Sequence, residues 1–270
     1  MISRLAPVIY FIFMNQGTPF ISIVIPAYNE ERRIGKTLQA IDAYLAKKSW
    51  ISEILVVSDG SSDGTVNIVE GYQKLTKRLR LIANKENHGK GYVVRQGMTE
   101  AYGSLRLFTD ADNATPIEEL EKLLPWINLT QENKVNVSDN QGGYDVVIGS
   151  IGLKKSAVEK KEPIFRVLAG KGANVLIQFL ILPGIHDTQR GFKLFTASAA
   201  EKIFPLCRID KWGFDMEALA LALKFKFKVK EVGIRWIHDA ESKVKASAYF
   251  KTLIELFKIR LWLWMGVYNK

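Results

Sequence analysis

Short apolar runs and helical apolar periods alternate along the first half of this chain. Residues 21–25, Ile-Ser-Ile-Val-Ile, form a β-branched run closed by Pro26, the pattern of a buried strand. A helix is expected from Asn29, as its cap, to about Lys48, with Glu30 and Glu31 favourable in the first turn. Residues 53–58 read as a second strand, the polar cluster 59–64 as a turn, and helical spacing resumes at Thr65. A third strand is predicted over 79–83, a helix over 89–102 and a fourth strand over 105–109, with Pro116 near the start of the next helix. After this point the pattern loosens. Residues 130–143 are polar and read as a surface insertion, 145–150 as a strand and 152–163 as a lysine-rich loop. A long apolar helix is expected over 164–182, then a short strand at 193–195, helices near 197–204 and 214–225, a strand over 229–236 and a last helix over 246–264. Strands alternating with helices predict an α/β fold with a mainly parallel, doubly wound sheet.

Composition narrows the class. The chain has 270 residues, 47% of them hydrophobic, enough to bury one large α/β core. The division expected is an extension over 1–20, one domain over 21–245 and an amphipathic helix over 246–270. One cysteine, Cys207, excludes a disulfide framework and a cysteine-rich zinc site, and His88, His186 and His238 lie far apart in sequence. The net charge of +10 implies an anionic partner: nucleic acid, a membrane surface or a phosphorylated substrate. The apolar run 8–14 is far shorter than the ~20 residues that span a bilayer, and no signal-peptide cleavage pattern follows it. A cytoplasmic protein touching a membrane from outside is expected. The last helix supports this with a stripe of Tyr249, Phe250, Leu253, Ile254, Phe257, Leu261 and Trp264 opposite Lys251, Glu255 and Lys258, ending in Trp262, Trp264 and Tyr268. Core packing explains part of the same stripe.

The candidate chemistry lies where strands end. Asp110-Ala111-Asp112 closes the strand 105–109, at the edge where α/β sheets bind ligands. Two carboxylates this close repel unless a cation joins them, and Mg2+ or Mn2+ carrying a diphosphate meets that need. Two further polar loops leave strand ends, Pro26-Ala27-Tyr28-Asn29-Glu30 and Asp59-Gly60-Ser61. Tyr28 can stack on a base, and Glu30 or Asp59 can accept hydrogen bonds from a base or ribose. Taken singly, each loop is also explained as a capped helix start; their recurrence at three strand ends favours a nucleotide site. Asn87-His88-Gly89-Lys90-Gly91 adds a glycine-flanked lysine that offers backbone N–H groups and a charge to phosphate, without the spacing of a Walker loop.

From residue 21 onward the chain resembles the GT-A type family-2 glycosyltransferases, above all the dolichyl-phosphate β-glucosyltransferases and next the dolichyl-phosphate mannosyltransferases. The resemblance rests on residues 24–31 (Val-Ile-Pro-Ala-Tyr-Asn-Glu-Glu), 59–63, 87–91, Asp110-Ala111-Asp112-Asn113-Ala114-Thr115, Asp187-Thr188-Gln189-Arg190-Gly191-Phe192-Lys193-Leu194-Phe195, Trp212-Gly213-Phe214-Asp215-Met216-Glu217 and Ser242-Lys243. It implies a GT-A fold in which Pro26, Ala27, Tyr28, Glu30, Asp59, Lys90 and Asp110-Ala111-Asp112 hold the nucleotide. Asp110 and Asp112 would bind the metal, and Asp110, Asp112, Asp187 and Gln189 would be the catalytic set. Ser58 stands where the family usually has an acid, and Ile151 where it usually has an arginine, which leaves Arg166 and Lys243 to meet an acceptor phosphate. The activity implied is inverting transfer of glucose from UDP-glucose to a polyprenyl or dolichyl phosphate. A GDP-mannose donor, a non-catalytic relative that only binds sugar nucleotide or lipid, and a basic nucleic-acid-binding protein are the other readings. The last is weakened by scattered basic residues and the lack of a nucleic-acid motif.

Overall fold

The computed structural model describes residues 17–129, 142–151, 153, 157–158, 172, 174–237 and 246–269. Seven strands form one sheet: β1 (Ile21–Ala27), β2 (Ser52–Ser58), β3 (Leu79–Ala83), β4 (Leu105–Thr109), β5 (Val146–Ser150), β7 (Phe192–Thr196) and β8 (Val229–Gly233). Their spatial order is β3-β2-β1-β4-β7-β5-β8. All pairings are parallel except those of β7, which runs antiparallel to β4 and β5. The expected doubly wound α/β arrangement therefore holds, with one reversed strand at its centre.

The apolar runs exist because the sheet is covered on both faces. In β1, Ile21, Ile23 and Ile25 enter one core and Val24 the other. In β2, Ile54 and Val56 go with the isoleucines, and Leu55 and Val57 with Val24. Each fully buried side chain of this kind stabilises the fold by about 1.5–3 kcal/mol. One face is covered by α1 (Ile34–Leu45) and α2 (Thr65–Gln73), the other by α3 (Lys90–Glu100) and by helices from the second half of the chain. Pro26 is tolerated inside the sheet because β4 pairs with β1 only as far as Val24 and Phe108, so no ladder partner awaits its missing N–H.

Several boundaries differ from the sequence reading. Asn29 does not cap a helix. It adopts φ 54°, its Oδ1 accepts from Ser62 N–H at 2.8 Å, and α1 starts only at Ile34. Asparagine tolerates this left-handed geometry, which a side-chain amide can stabilise locally. The helix after Pro116 is broken into a 3-10 turn Ile117–Glu119, one α turn α4 (Leu120–Leu123) and a second 3-10 turn Leu124–Trp126, because Pro125 cannot donate within a longer helix. The strand expected over 229–236 divides at the fully buried Ile234. Past it, β9 (Arg235–Trp236) pairs with β6 (Ala157–Val158) in a separate two-stranded sheet. The helices α5 (Ala197–Ile203), α6 (Phe214–Lys224) and α7 (Ala246–Trp264) follow the expected spans. Of the apolar helix expected over 164–182, residues 174–180 are helical and most of 164–173 lies outside the described residues, as do 130–141 and most of 152–163.

Candidate active site

The parallel strands β1, β2, β3 and β4 all end at one edge, and their four following loops meet there. Backbone and side-chain bonds join the first two loops. Asn29 N–H donates to Ser61 Oγ at 3.1 Å, Glu30 N–H to Thr65 Oγ1 at 2.7 Å, and Gly64 N–H to Glu31 Oε2 at 2.8 Å. Glu30 accepts from Arg33 through both carboxylate oxygens, at 2.7 and 2.8 Å. Ala27 O accepts from Asp59 N–H at 2.8 Å. Tyr28, 44% exposed, stands at the rim of this joined pair of loops, an aromatic face presented to solvent.

Asp59 has a structural task. It is buried, and its two oxygens accept from His88 N–H at 2.7 Å and Gly89 N–H at 2.9 Å. The backbone donors expected to greet a phosphate at the start of α3 are thus already engaged by Asp59. The flanking glycines answer to packing. A Cβ on Gly89, which has φ 115°, would lie 2.3 Å from Asp210 O, and one on Gly91 would lie 2.3 Å from Ile209 O. What remains directed at the site is the Lys90 ammonium. Ser58, fully buried, donates from Oγ to Ser61 Oγ at 3.0 Å and so helps shape the same turn.

Lys90 meets Asp110 at 2.6 Å (Nζ to Oδ1) and lies 5.3 Å from the Trp212 ring and 5.5 Å from the Phe108 ring. Burial alone would lower the Lys90 pKa, but the charges of Asp110 and Asp215 outweigh it and hold the pKa above the ordinary lysine value. Ala111 is buried, and its carbonyl accepts from Thr37 Oγ1 at 2.7 Å, which pins the Asp110-Ala111-Asp112 loop to α1. Asp112 accepts from Ala114 N–H at 3.0 Å, and its pKa is raised by burial and then by the neighbouring charge of Asp110. Among the described residues no cluster of three His, Cys, Asp or Glu is placed to hold a metal alone. Two carboxylates under mutual repulsion fit a hard divalent cation whose remaining ligands are phosphate oxygens and water.

The loop ahead of β7 closes the other side. Gly191 O accepts from Asp110 N–H at 3.2 Å, and a Cβ on Gly191 would fall 2.0 Å from Asp110 Oδ2. Asp187, on the same loop, accepts from Ile151 N–H at 2.8 Å, and its own N–H donates to Glu231 Oε1 at 2.9 Å. Burial raises its pKa against the opposing charge of Arg190. Gln189 is exposed. Arg190 stacks 4.7 Å from the Trp236 ring, and Ile237 N–H donates to Ala114 O at 2.8 Å, so the segment after β8 lines the same edge. Arg166 and Lys243 lie outside the described residues.

Sequence reasoning assigned no role to four residues that the structure draws into the site or its supports. Gly191 touches Asp110 and Trp212 flanks Lys90. Lys193, buried in β7, meets Asp215 at 2.5 Å and also donates to Arg190 O. The signal was present in the strings 187–195 and 212–217, but partners about twenty residues apart cannot be paired by inspection.

The comparisons agree with this geometry. The family model described as glycosyl transferase family 2 matches residues 22–204. A dolichyl-phosphate beta-glucosyltransferase of Trichomonas vaginalis is 35% identical over 255 residues, 93% of this chain and 73% of that protein. The human dolichyl-phosphate beta-glucosyltransferase is 34% identical, over 85% of this chain and 71% of that protein. In fold, the chain is similar to glucosyl-3-phosphoglycerate synthase of Mycobacterium tuberculosis in complex with Mn2+, UDP-glucose and phosphoglyceric acid, with TM-score 0.64 over 94% of this chain and 82% of that one, at 16% identity. The sheet with one reversed strand, the paired carboxylates at the end of β4 and these matches lead to one conclusion: the chain belongs to glycosyltransferase family 2, as a GT-A enzyme related to the dolichyl-phosphate β-glucosyltransferases.

Proposed function

We propose that this enzyme transfers glucose from UDP-glucose to a dolichyl or polyprenyl phosphate with inversion at the anomeric carbon, working peripherally at the cytoplasmic face of a membrane. The observation that carries the reading is the Asp110-Ala111-Asp112 loop held between Thr37, Lys90 and Gly191 at the sheet edge. The relatives' printed names supply the sugar and the acceptor.

Tyr28, Glu30 and Asp59 belong to the loops that would receive the uridine, and Ala27 and Pro26 set the end of β1 beneath them. Asp110 and Asp112 would hold Mg2+ or Mn2+, which would supply positive charge to the leaving diphosphate. Lys90 would contribute a second charge there, exchanging part of its contact with Asp110 for a phosphate oxygen. Asp187 and Gln189 would face the sugar and acceptor, with Arg166 and Lys243 as the cations proposed for the acceptor phosphate. A lipid phosphate is ionised at neutral pH, so its oxygen can attack C1 without a strong general base. The new C1–O bond forms on one face of the sugar as the bond to UDP breaks on the other. The protein's share is alignment and charge neutralisation.

A thermal-shift series with UDP-glucose and GDP-mannose, each with and without Mn2+, tests the donor, because a ligand that binds the native state raises Tm. UDP-glucose with Mn2+ is expected to give the larger shift. Stabilisation by GDP-mannose alone would overturn the assignment. In the same series, Asp112→Asn is expected to lower turnover by at least about a hundredfold while leaving the ligand-free melting temperature near wild type, since the carboxylate contributes charge rather than packing. Near-normal turnover in saturating metal would remove Asp112 from the site.

A further inference from the structure

Helix α7 has two apolar faces, and the fold uses one. Leu256 and Ile259 are buried in the core. On the other side Phe250 is 68% exposed, Phe257 52% and Trp264 79%, with Ile254 and Leu261 exposed between them. Positions 250, 254, 257, 261 and 264 advance by alternating steps of four and three, so they line up as one stripe along the helix. At about 100° per residue, Lys251 and Lys258 flank this stripe on one side and Arg260 on the other, and all three are exposed. The helix has a single acid, Glu255, and it turns inward, where Oε2 accepts from Gly213 N–H at 2.7 Å. The outward face therefore combines five large apolar side chains with three cations and no anion.

We propose that α7 is an interfacial helix that docks the enzyme on an anionic bilayer surface. Phe250, Ile254, Phe257, Leu261 and Trp264 enter the boundary between headgroups and acyl chains, while Lys251, Lys258 and Arg260 meet lipid phosphates. Charge selects the bilayer over a second copy of the chain. Two such helices packed stripe to stripe would bring their flanking cations together, in a protein already at +10. The inference rests on the reading of the acceptor as a membrane lipid and gives that reading a surface. It also sets the active site close to the docked face. Glu255 holds Gly213, whose neighbour Trp212 lies 5.3 Å from the Lys90 ammonium, so the helix lying on the bilayer is bonded to the wall of the donor site.

The test is co-sedimentation of the full chain with vesicles of phosphatidylcholine alone and of phosphatidylcholine containing phosphatidylserine. Wild type is expected to bind the anionic vesicles, with a blue shift of tryptophan emission and weakening by salt. Phe257→Ser/Leu261→Ser, which removes only exposed side chains, is expected to weaken binding at least about tenfold. Lys258→Gln/Arg260→Gln is expected to weaken it about fivefold per charge on anionic vesicles and to leave neutral vesicles unaffected. Both variants should keep the wild-type thermal shift with UDP-glucose and Mn2+. Unchanged vesicle binding by Phe257→Ser/Leu261→Ser would overturn the proposal and move the lipid contact elsewhere, for instance to the apolar run 8–14. A wild-type dimer in analytical ultracentrifugation that the same variant dissolves would also overturn it, making this face an interface between copies. Vesicle binding lost in the variant but with no transfer to polyprenyl phosphate by wild type would support the docking face while refuting the proposed acceptor.

Discussion

Gly191 shows how much of this site is decided by single atoms. A Cβ there would stand 2.0 Å from Asp110 Oδ2, so even alanine must displace the carboxylate that Lys90 meets. Gly191→Ala is expected to lower kcat/KM by about a hundredfold, the scale of a misplacement near 1 Å in a preorganised site. Its effect on stability should be small, because the Lys90–Asp110 pair is part-exposed and such pairs contribute about 1 kcal/mol or less. Steady-state kinetics beside a thermal melt separates the two; a large loss of Tm with proportionate activity would mean that Gly191 serves the fold and not the carboxylate. Asp59 teaches the opposite lesson. Its place in a polar loop suggests a base contact, yet both of its oxygens are taken by the His88 and Gly89 amides, so its visible work is to hold the start of α3 in place.

Among elements, the decisive joint is between β7 and α6. Lys193 and Asp215 are both buried, 2.5 Å apart, and the Lys193 ammonium also bonds Arg190 O on the loop that carries Gly191. Lys193 and Lys90 both lie within 6 Å of the Phe108 ring, at 5.8 and 5.5 Å. Asp215→Asn would leave a buried ammonium without its counter-charge, and the expected loss of stability is about 3–5 kcal/mol. Lys193→Met/Asp215→Leu, which removes both charges, is expected to recover most of that loss in urea unfolding. If the double variant is no more stable than the single one, the pair is not balanced as described. Recovery of stability without recovery of turnover would show that the pair also places the 187–191 loop.

Over the whole molecule, the C-terminal segment is tied to the centre by Glu217. This fully buried carboxylate on α6 accepts from Arg208 N–H at 2.9 Å, Ile209 N–H at 2.8 Å and the Tyr268 hydroxyl at 2.6 Å. Burial raises its pKa even against those hydrogen bonds. A glutamate whose folded pKa lies above its unfolded value binds its proton more tightly in the native state. Its contribution to stability is therefore most favourable below the ordinary carboxyl range, about pH 4.5, and declines as pH rises through the raised folded value. Glu217→Gln should flatten that part of the pH dependence of the urea midpoint. Identical slopes for variant and wild type would show that Glu217 titrates alike in both states. The wild-type slope also carries Asp187 and Asp215, whose pKa values burial raises in the same direction.

How much could be read in advance follows the distance over which each feature is determined. The parallel half of the sheet was legible because β1, β2 and β4 announce themselves within five to seven residues, and the carboxylate pair because Asp110 directly follows β4. The helix breaks were less so. Asn29 looked like a cap until its amide was seen to bond Ser62, and the break at Pro125 was not anticipated although a local rule predicts it. The antiparallel place of β7 between β4 and β5 was not legible, since a five-residue strand carries no mark of its direction or neighbours. Residue spacing gave α7 one broad apolar stripe opposite Glu255; packing divided it, burying Leu256 and Ile259, turning Glu255 towards Gly213 and leaving Phe250, Phe257 and Trp264 in solvent. By itself the sequence determined what depends on near neighbours: the periods of strand and helix, the residue types at strand ends and the family strings. Only the tertiary structure decided which charges meet, because Lys90 and Asp110, Lys193 and Asp215, and Glu217 and Tyr268 are brought together by the packing of whole elements, a choice that no local stretch of chain encodes.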